Sequence, residues 1–117
     1  MNKVIIAGSR DFNDYQLLKT KCDNILSNLT DVVIISGKAR GADSLGELYA
    51  KEKGYSVEEY PADWNQFGKA AGHIRNEEMA KNATHLIAFW DGVSPGTKGM
   101  ISLAENYNLK IRIIKWK

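Results

Sequence analysis

The sequence is poor in cysteine, in excess charge and in long apolar runs, and each shortage excludes a class of protein. Cys22 is the single cysteine among 117 residues, so no disulfide forms within the chain. Sixteen basic and fourteen acidic residues leave a net charge of +2, which does not indicate a nucleic-acid or membrane partner. The first apolar run, Val4–Ala7, is far shorter than a signal-peptide core or a membrane span. A cytoplasmic location is therefore the default expectation.

Several motifs of nucleotide enzymes and metal sites are also absent. Gly96-Thr97-Lys98 has the wrong order for a phosphate loop, and no G-x-G-x-x-G pattern follows the first strand. His73 and His85 lie apart, without a cluster of metal ligands or the spaced serine and aspartate of a triad. Cys22 falls in an amphipathic segment, where a buried thiol is expected. We therefore predict no cofactor, no metal and no assignable catalytic residue.

A regular alternation of strands and helices is present instead. Apolar, β-branched runs predict five strands, at 4–7, 32–35, 56–60, 86–89 and 111–114. Apolar residues spaced by three and four predict about four helices between them, the first with Asn13 as its N-cap. Such alternation forms parallel sheets with right-handed crossovers. We predict one α/β domain over residues 1–117, a Rossmann-like three-layer sandwich with strand order 3-2-1-4-5 or, as the alternative, 2-1-3-4-5.

Basic residues interleave with apolar ones in the last predicted strand. Lys110, Arg112 and Lys115 alternate with Ile111 and Ile113–Ile114 near the C-terminus. Charges on a terminal edge strand oppose edge-to-edge aggregation, and we favour that role over a basic strip for nucleic acid.

Small and polar residues follow the predicted strands. In a doubly wound sheet these turns open at one edge, so side chains distant in sequence meet there. Glycine turns let backbone N–H groups approach a phosphate, and helix N-termini attract it. The pattern predicts a phosphate-bearing ligand, with backbone donors at Ser36, Gly37, Gly41, Ala42, Gly96 and Thr97 and positive charge from Arg10 and Arg40.

Other polar residues near the same edge have more than one interpretation. Asp43 is interpreted as a helix N-cap in preference to a ligand contact. Asp63 and Asp91 are expected to accept hydrogen bonds from a ribose or a base, whereas Trp64 either stacks on a base or packs in the core. Arg75 lies on an inward helix face and needs a polar or anionic partner, which is the ligand, Asp63 or Asp91.

Four groups of residues occur in order along the chain: Gly8–Phe12; Ser36–Asp43; Pro61–Trp64 with Gly68–Gly72 and Arg75-Asn76; and Phe89–Gly92 with Ser94–Thr97. Together they resemble the YspA- and YpsA-related branch of the SLOG superfamily, which includes the DprA and Lonely guy proteins. The resemblance implies a Rossmann-like fold, a nucleotide-derived ligand, a homodimer or higher oligomer, and a bacterial or phage origin. With it, the predicted ligand-binding residues are Gly8, Ser9, Arg10, Ser36, Gly37, Ala39, Arg40, Gly41, Ala42, Asp43, Asp63, Trp64, Lys69, Arg75, Asn76, Asp91, Gly92, Ser94, Gly96 and Thr97.

One departure from the superfamily bears on function. Lonely guy enzymes cleave the N-glycosidic bond of nucleoside monophosphates. They carry a P-G-G-x-G-T motif that is followed closely by a catalytic glutamate. Here Ser94–Thr97 is followed by Lys98-Gly99-Met100, so that carboxylate is missing. We therefore favour binding or sensing of a nucleoside phosphate, ADP-ribose or a related signal. The alternatives are a nucleotide N-glycosidase that uses Asp63 or Asp91, and binding of single-stranded nucleic acid.

Overall fold

A computed structural model describes residues 1–117 as a parallel sheet with helices on both faces. The strands are β1 (Asn2–Gly8), β2 (Val32–Ser36), β3 (Ser56–Glu59), β4 (His85–Trp90) and β5 (Lys110–Lys115). The helices are α1 (Tyr15–Leu26), α2 (Ala42–Lys53), α3 (Trp64–Phe67), α4 (Ala71–Asn82) and α5 (Pro95–Asn106), with a 3₁₀ turn at Gly68–Ala70. None of these helices combines the length and the apolar content that a membrane span needs.

The strand order is β3-β2-β1-β4-β5, and every neighbouring pair is parallel. The predicted order 3-2-1-4-5 is confirmed, and the alternative 2-1-3-4-5 is wrong. β1 lies at the centre, where Ile5 pairs with Ile35 of β2 and Leu86 of β4. β5 is an edge strand, and Lys110, Arg112 and Lys115 on it are exposed, as their spacing predicts.

The two faces of the sheet bury separate apolar clusters, as a three-layer sandwich requires. On one face, Ile6 of β1 and Leu18 of α1 belong to a cluster that also contains Tyr49 of α2. On the other face, Ile5 of β1 belongs to a cluster with residues of α4 and α5, including Met79. Successive strand residues point to opposite faces, so the continuous apolar run of β1 supplies both layers.

The single cysteine lies in the first of these clusters. Cys22 of α1 has no exposed surface, which confirms the predicted buried thiol. Burial raises the pKa of the thiol to about 12, because the thiolate would lose its hydration, and the nearby charge of Asp23 raises it further. Cys22 is therefore a packing residue at neutral pH.

Two predicted helix caps are wrong. α1 is capped by Asp14, whose carboxylate accepts a hydrogen bond from the amide of Leu17 at 3.0 Å, and Asn13 lies one residue earlier. α2 has Gly41 at its N-cap, and Asp43 lies inside the first turn, where its carboxylate points back into the preceding loop. At α1 the neighbouring residues Asn13 and Asp14 both satisfy the sequence signal for a cap, and only the local backbone angles select Asp14. At α2 the helix starts directly after Gly41, which has a positive φ, so Asp43 is already its second residue.

A short helix that the sequence analysis did not predict follows β3. α3 spans four residues, and the carboxylate of Asp63 caps it by accepting a hydrogen bond from the amide of Gln66 at 3.0 Å. It ends at Gly68, which has a φ of +56°. Because a single turn carries no apolar period, the pattern along the chain did not reveal it.

Candidate anion-binding cleft

The order of the strands reverses between β1 and β4, and a cleft opens there. The chain leaves β1 toward the face covered by α1 and leaves β4 toward the face covered by α5, so the two turns diverge. The resulting cleft has a volume of about 450 Å³. We call it the anion cleft. The predicted site residues that line it are Gly8, Ser9, Arg10, Ala39, Asp43, Arg75, Asn76, Ser94, Gly96 and Thr97.

The N-terminus of α5 forms one wall of the anion cleft. The helix begins at Pro95, and no side chain caps it. The amides of Gly96 and Thr97 belong to the first turn and therefore have no acceptor within the helix. A β-carbon at Gly96 would meet no atom within 4 Å, so the space in front of this turn is open. The unpaired donors and the positive end of the helix dipole together favour an anion at this position.

Two arginines line the same cleft. Arg10, in the turn after β1, is exposed, whereas Arg75 of α4 is half-buried. Burial lowers the pKa of Arg75; the carboxylate of Asp43 raises it, and the charge of Arg10 lowers it again. The two guanidinium groups are thus close enough to repel each other, and a bound anion would relieve that repulsion.

Arg75 also ties the cleft to the loop after β2. Its Nη1 donates a hydrogen bond to the carbonyl oxygen of Gly37, and its Nε donates to Asn76 Oδ1 at 2.8 Å. The expectation that Arg75 pairs with Asp63 or Asp91 is wrong. Both of those carboxylates are engaged in turns of their own, so neither is directed at the guanidinium.

Asp43 supplies a negative charge within the lining of the cleft. The residue is 7% exposed, and its Oδ2 accepts a hydrogen bond from the amide of Ala39 at 3.4 Å. Burial raises the pKa of Asp43 to about 6, although the charge of Arg75 and the amides of Ala39 and Gly37 act in the opposite direction. The net charge of the cleft therefore becomes more positive as the pH falls through about 6.

The turn between β4 and α5 is held by Asp91. Its carboxylate accepts hydrogen bonds from the amides of Val93 (2.9 Å) and Ser94 (2.7 Å) and from the Ser94 hydroxyl (2.7 Å). These bonds to the ionised form lower the pKa of Asp91 to about 2. The same turn brings the Ser94 hydroxyl to 3.2 Å from Ser9 Oγ, so Asp91 shapes the cleft from outside it.

The loop between β2 and α2 is occupied by the protein's own side chains. The Ser36 hydroxyl donates to Glu47 Oε2 at 2.5 Å, and the Lys38 ammonium lies 3.0 Å from Glu47 and 3.2 Å from Glu59. Gly41 has a φ of +79°, and a β-carbon on it would overlap the carbonyl oxygen of Ser9. The glycine here allows two backbone segments to pack closely, behind the wall of the cleft.

The remaining predicted residues lie away from the anion cleft. Asp63 lines a second cavity beyond α4, and Trp64 is 52% exposed, so the interpretation of Trp64 as a core residue is wrong. Gly92 lies in the Asp91 turn with a φ of +89°. The predicted residues outside the anion cleft are Ser36, Gly37, Arg40, Gly41, Ala42, Asp63, Trp64, Lys69, Asp91 and Gly92.

Several lining residues were not predicted. Met79 of α4 and Met100 of α5 form the apolar floor together with Ala7 of β1, and Asp11 and Pro95 lie at the rim. The two methionines repeat with other apolar residues at helical spacing, which is also the pattern of a core residue. No group of three histidine, cysteine or acidic side chains converges anywhere in the structure in a way that would hold a metal ion.

The sheet order and the cleft at the strand reversal define a Rossmann-like α/β protein. The chain belongs to the family described as YAcAr, the YspA, cpYpsA-related SLOG family, which matches residues 2–67. The predicted resemblance is thereby confirmed. The chain is also 32% identical over 118 residues to the Gene 61 protein of Mycobacterium phage D29, covering 95% of this chain and 94% of that protein. This relative fits the predicted bacterial or phage origin.

Two solved structures share the fold. DNA processing protein A (DprA) from Streptococcus pneumoniae superposes with a TM-score of 0.79 at 15% identity, covering 100% of this chain and 51% of that chain. The structural-genomics target TM1055 superposes with a TM-score of 0.68 at 18% identity, covering 95% of this chain and 72% of that one. This chain thus spans about half of the DprA chain. At these identities the likeness shows the fold.

Proposed function

We propose that this protein binds a nucleotide-derived small molecule and holds its phosphate in the anion cleft. The observation that carries the proposal is the uncapped N-terminus of α5, which lines the same cleft as Arg10 and Arg75. Neutral donors at a helix start and two positive side chains form a common arrangement for a phosphate. The location at the strand reversal is where ligands bind in open α/β sheets.

In this proposal each part of the lining has a separate task. The amides of Gly96 and Thr97 donate to phosphate oxygens, and Arg10, which is exposed, moves to pair with their charge. Arg75 is already fixed by Gly37 and Asn76, so it offers its remaining donors without losing much conformational freedom.

The two carboxylates that the sequence offers to an N-glycosidase both lie outside the anion cleft. Asp63 and Asp91 are the residues that an N-glycosidase reading of the sequence requires, and neither lines the anion cleft. Asp63 caps α3, and Asp91 accepts three hydrogen bonds within its own turn. A carboxylate that acts on a glycosidic bond must lie beside the bond that breaks.

The proposal is tested by calorimetric titration and thermal unfolding with ribose 5-phosphate, AMP, GMP and ADP-ribose. A true ligand at ~100 times its Kd should raise the free energy of unfolding by roughly 2.7 kcal/mol. Arg10→Ala should weaken binding by about tenfold or more, because it removes a charged partner of the phosphate. Arg40→Ala is the matched control, since Arg40 is also exposed but lies outside the cleft. If no compound in the panel shifts the unfolding transition, the proposal is wrong.

Two alternative functions, a nucleotide N-glycosidase and binding of single-stranded nucleic acid, stay predictions. One further measurement tests each of them. Chromatographic detection of free base released from a nucleotide would establish the N-glycosidase. Tight binding of single-stranded DNA with a steep dependence on salt would establish a nucleic-acid partner. The homodimer or higher oligomer is likewise a proposal, and light scattering on the ligand-free and ligand-bound protein tests it.

A further inference from the structure

A second cavity lies on the other flank of α4, beside the anion cleft. Its volume is about 270 Å³. Arg75 lines both cavities, so the guanidinium marks the point where they adjoin. The cavity is lined by two aromatic residues, Tyr60 and Phe67, and by three carboxylates, those of Glu59, Asp63 and Glu78.

Phe67 lines this cavity, and a second exposed aromatic residue, Trp64, lies on the same short helix without lining the cavity. Phe67 is 41% exposed and Trp64 is 52% exposed, and both belong to α3. The Asp63 cap holds the start of this turn, and the amide of Gly68 donates to the carbonyl oxygen of Trp64 at its end. The backbone that presents the rings is therefore fixed at both ends, which lowers the entropy cost of stacking a ligand on them.

Trp64 also lies close to the guanidinium between the two cavities. A β-carbon built on Gly72 would lie 3.5 Å from Cη2 of Trp64 and 3.8 Å from Nη2 of Arg75. The two groups thus converge over the same glycine at the start of α4. An elongated ligand that crosses Arg75 would leave the anion cleft and meet an aromatic surface directly.

We propose that the second cavity, which we call the base pocket, holds the base of the nucleotide whose phosphate occupies the anion cleft. This inference rests on the proposed function. Phe67 stacks with the base, because an aromatic ring offers a surface that suits any planar heterocycle, and Trp64 extends the aromatic surface beyond the cavity. Arg75 lies between base and phosphate and contacts the ribose phosphate side of the ligand.

The polar groups of the base pocket select among bases. Glu59, Asp63 and Glu78 line it, and carboxylates accept hydrogen bonds but cannot donate them. Only Oδ1 of Asp63 is used by the α3 cap, so Oδ2 is available as an acceptor. Adenine and guanine carry amino groups that donate to such oxygens, whereas the one donor on the Watson–Crick edge of uracil, N3–H, lies between two carbonyl oxygens that a carboxylate repels. The pocket is therefore specific for amino-bearing purine nucleotides over uridine nucleotides.

The experiment compares ribose 5-phosphate, UMP, AMP and GMP by calorimetric titration of the whole chain. Phe67→Ala should weaken AMP or GMP binding by about tenfold, because it removes the stacked ring, and Trp64→Ala should weaken it by less. Both variants should leave the affinity for ribose 5-phosphate within about twofold of wild type. Tyr107→Ala is the control, because Tyr107 is an exposed aromatic residue at the C-terminal end of α5, whose opposite end lines the anion cleft, and it lines neither cavity itself. Asp63→Asn keeps the side-chain oxygen that caps α3 and replaces the second acceptor oxygen with an amide NH₂ group. The variant should therefore bind AMP and GMP less tightly relative to UMP than the wild type does.

The possible results separate the inference from the proposed function. If ribose 5-phosphate binds as tightly as AMP and GMP, or if the aromatic variants weaken the binding of all four compounds equally, the second cavity does not hold the base. The proposal that the anion cleft binds phosphate would still stand. If UMP binds as tightly as both purine nucleotides, the assigned carboxylate selectivity is overturned. If none of the compounds binds, the proposed function itself fails. Circular dichroism of each variant checks that the fold is intact.

Discussion

Two strand-to-helix corners of this protein look alike in sequence and differ in structure. The corner after β4 leaves Gly96 in open space at an uncapped helix start. The corner after β2 encloses Gly37, where an added β-carbon would lie 2.8 Å from Asp43 and 2.9 Å from Arg75. Glycine thus keeps one corner open to a ligand and lets the other close on the protein itself. The difference comes from side chains on other elements, which fill only the second corner.

We call the corner after β2 the closed corner and the corner after β4 the open corner. The largest expected effect is a loss of folding stability when a glycine of the closed corner is replaced. Gly41→Ala places a side chain at a φ of +79° and against the carbonyl oxygen of Ser9, which is backbone and cannot move aside cheaply. We expect the free energy of unfolding to fall by about 3 kcal/mol or more. Gly96→Ala is the matched change in the open corner, and it should leave stability unchanged or raise it by up to about 1 kcal/mol. Urea unfolding measures the free energy of unfolding of both variants. Equal losses of stability would contradict the difference between the closed and the open corner.

The second expected effect is that the two arginines of the anion cleft differ in their contribution to folding stability. Arg75→Met removes the hydrogen bond to the Gly37 carbonyl and leaves Asp43 without its positive neighbour. We expect a loss of about 2 kcal/mol of stability, since polar groups at half-buried positions lose their partners. Arg10→Ala should change stability by less than about 0.5 kcal/mol, because Arg10 is exposed. Both variants should bind ligand poorly. A stable Arg75→Met protein would show that the guanidinium does not support the loop.

The third effect is a dependence on pH. The pKa of Asp43 is raised to about 6 from an ordinary value of 3.8, so the folded protein holds this proton more tightly than the unfolded chain does. The stability that the group contributes is therefore fully present below about pH 4 and is lost as the pH rises through about 6. Relative to Asp43→Asn, the wild type should lose about 2 kcal/mol of stability between pH 4 and pH 7.

Asp91→Asn is the control for this pH experiment. The pKa of Asp91 is lowered to about 2, so it titrates below the window, and its variant should parallel the wild type between pH 4 and pH 7. Denaturant titrations at four pH values measure the differences. If wild type and Asp43→Asn keep a constant difference across this range, Asp43 does not titrate there.

The smallest effect concerns the ion pairs of the closed corner. Lys38→Met removes contacts to Glu47 and Glu59, which are partly exposed and screened by water. We expect a loss of at most about 1 kcal/mol of stability, reduced further by salt. The affinity for ribose 5-phosphate should stay within about twofold, because Lys38 lies outside the anion cleft and its partner Glu59 lines only the base pocket. A large loss of affinity in the Lys38→Met titration would mean that the closed corner takes part in binding.

The sheet was predictable from sequence because its strands are continuous apolar runs between amphipathic helices. The site was predictable only in part. Gly96 and Gly37 have the same local signal, a small residue after a strand, and differ in whether Asp43 and Arg75 fill the space beside them. Arg75 lies 38 residues along the chain from Gly37, so no local pattern reveals that contact. The exposed face of α3 was missed for a different reason, since one turn has no period to detect.

The most direct test of the account is amide chemical-shift mapping by NMR while ADP-ribose or a purine nucleotide is added. We expect the largest shifts at Ser9, Arg10, Gly96 and Thr97, which line the anion cleft. Shifts at Ser36 to Lys38 should be small, because that corner is satisfied by the protein. Shifts centred on the β2–α2 loop, with none at Gly96 and Thr97, would contradict the central claim that the open corner holds the phosphate.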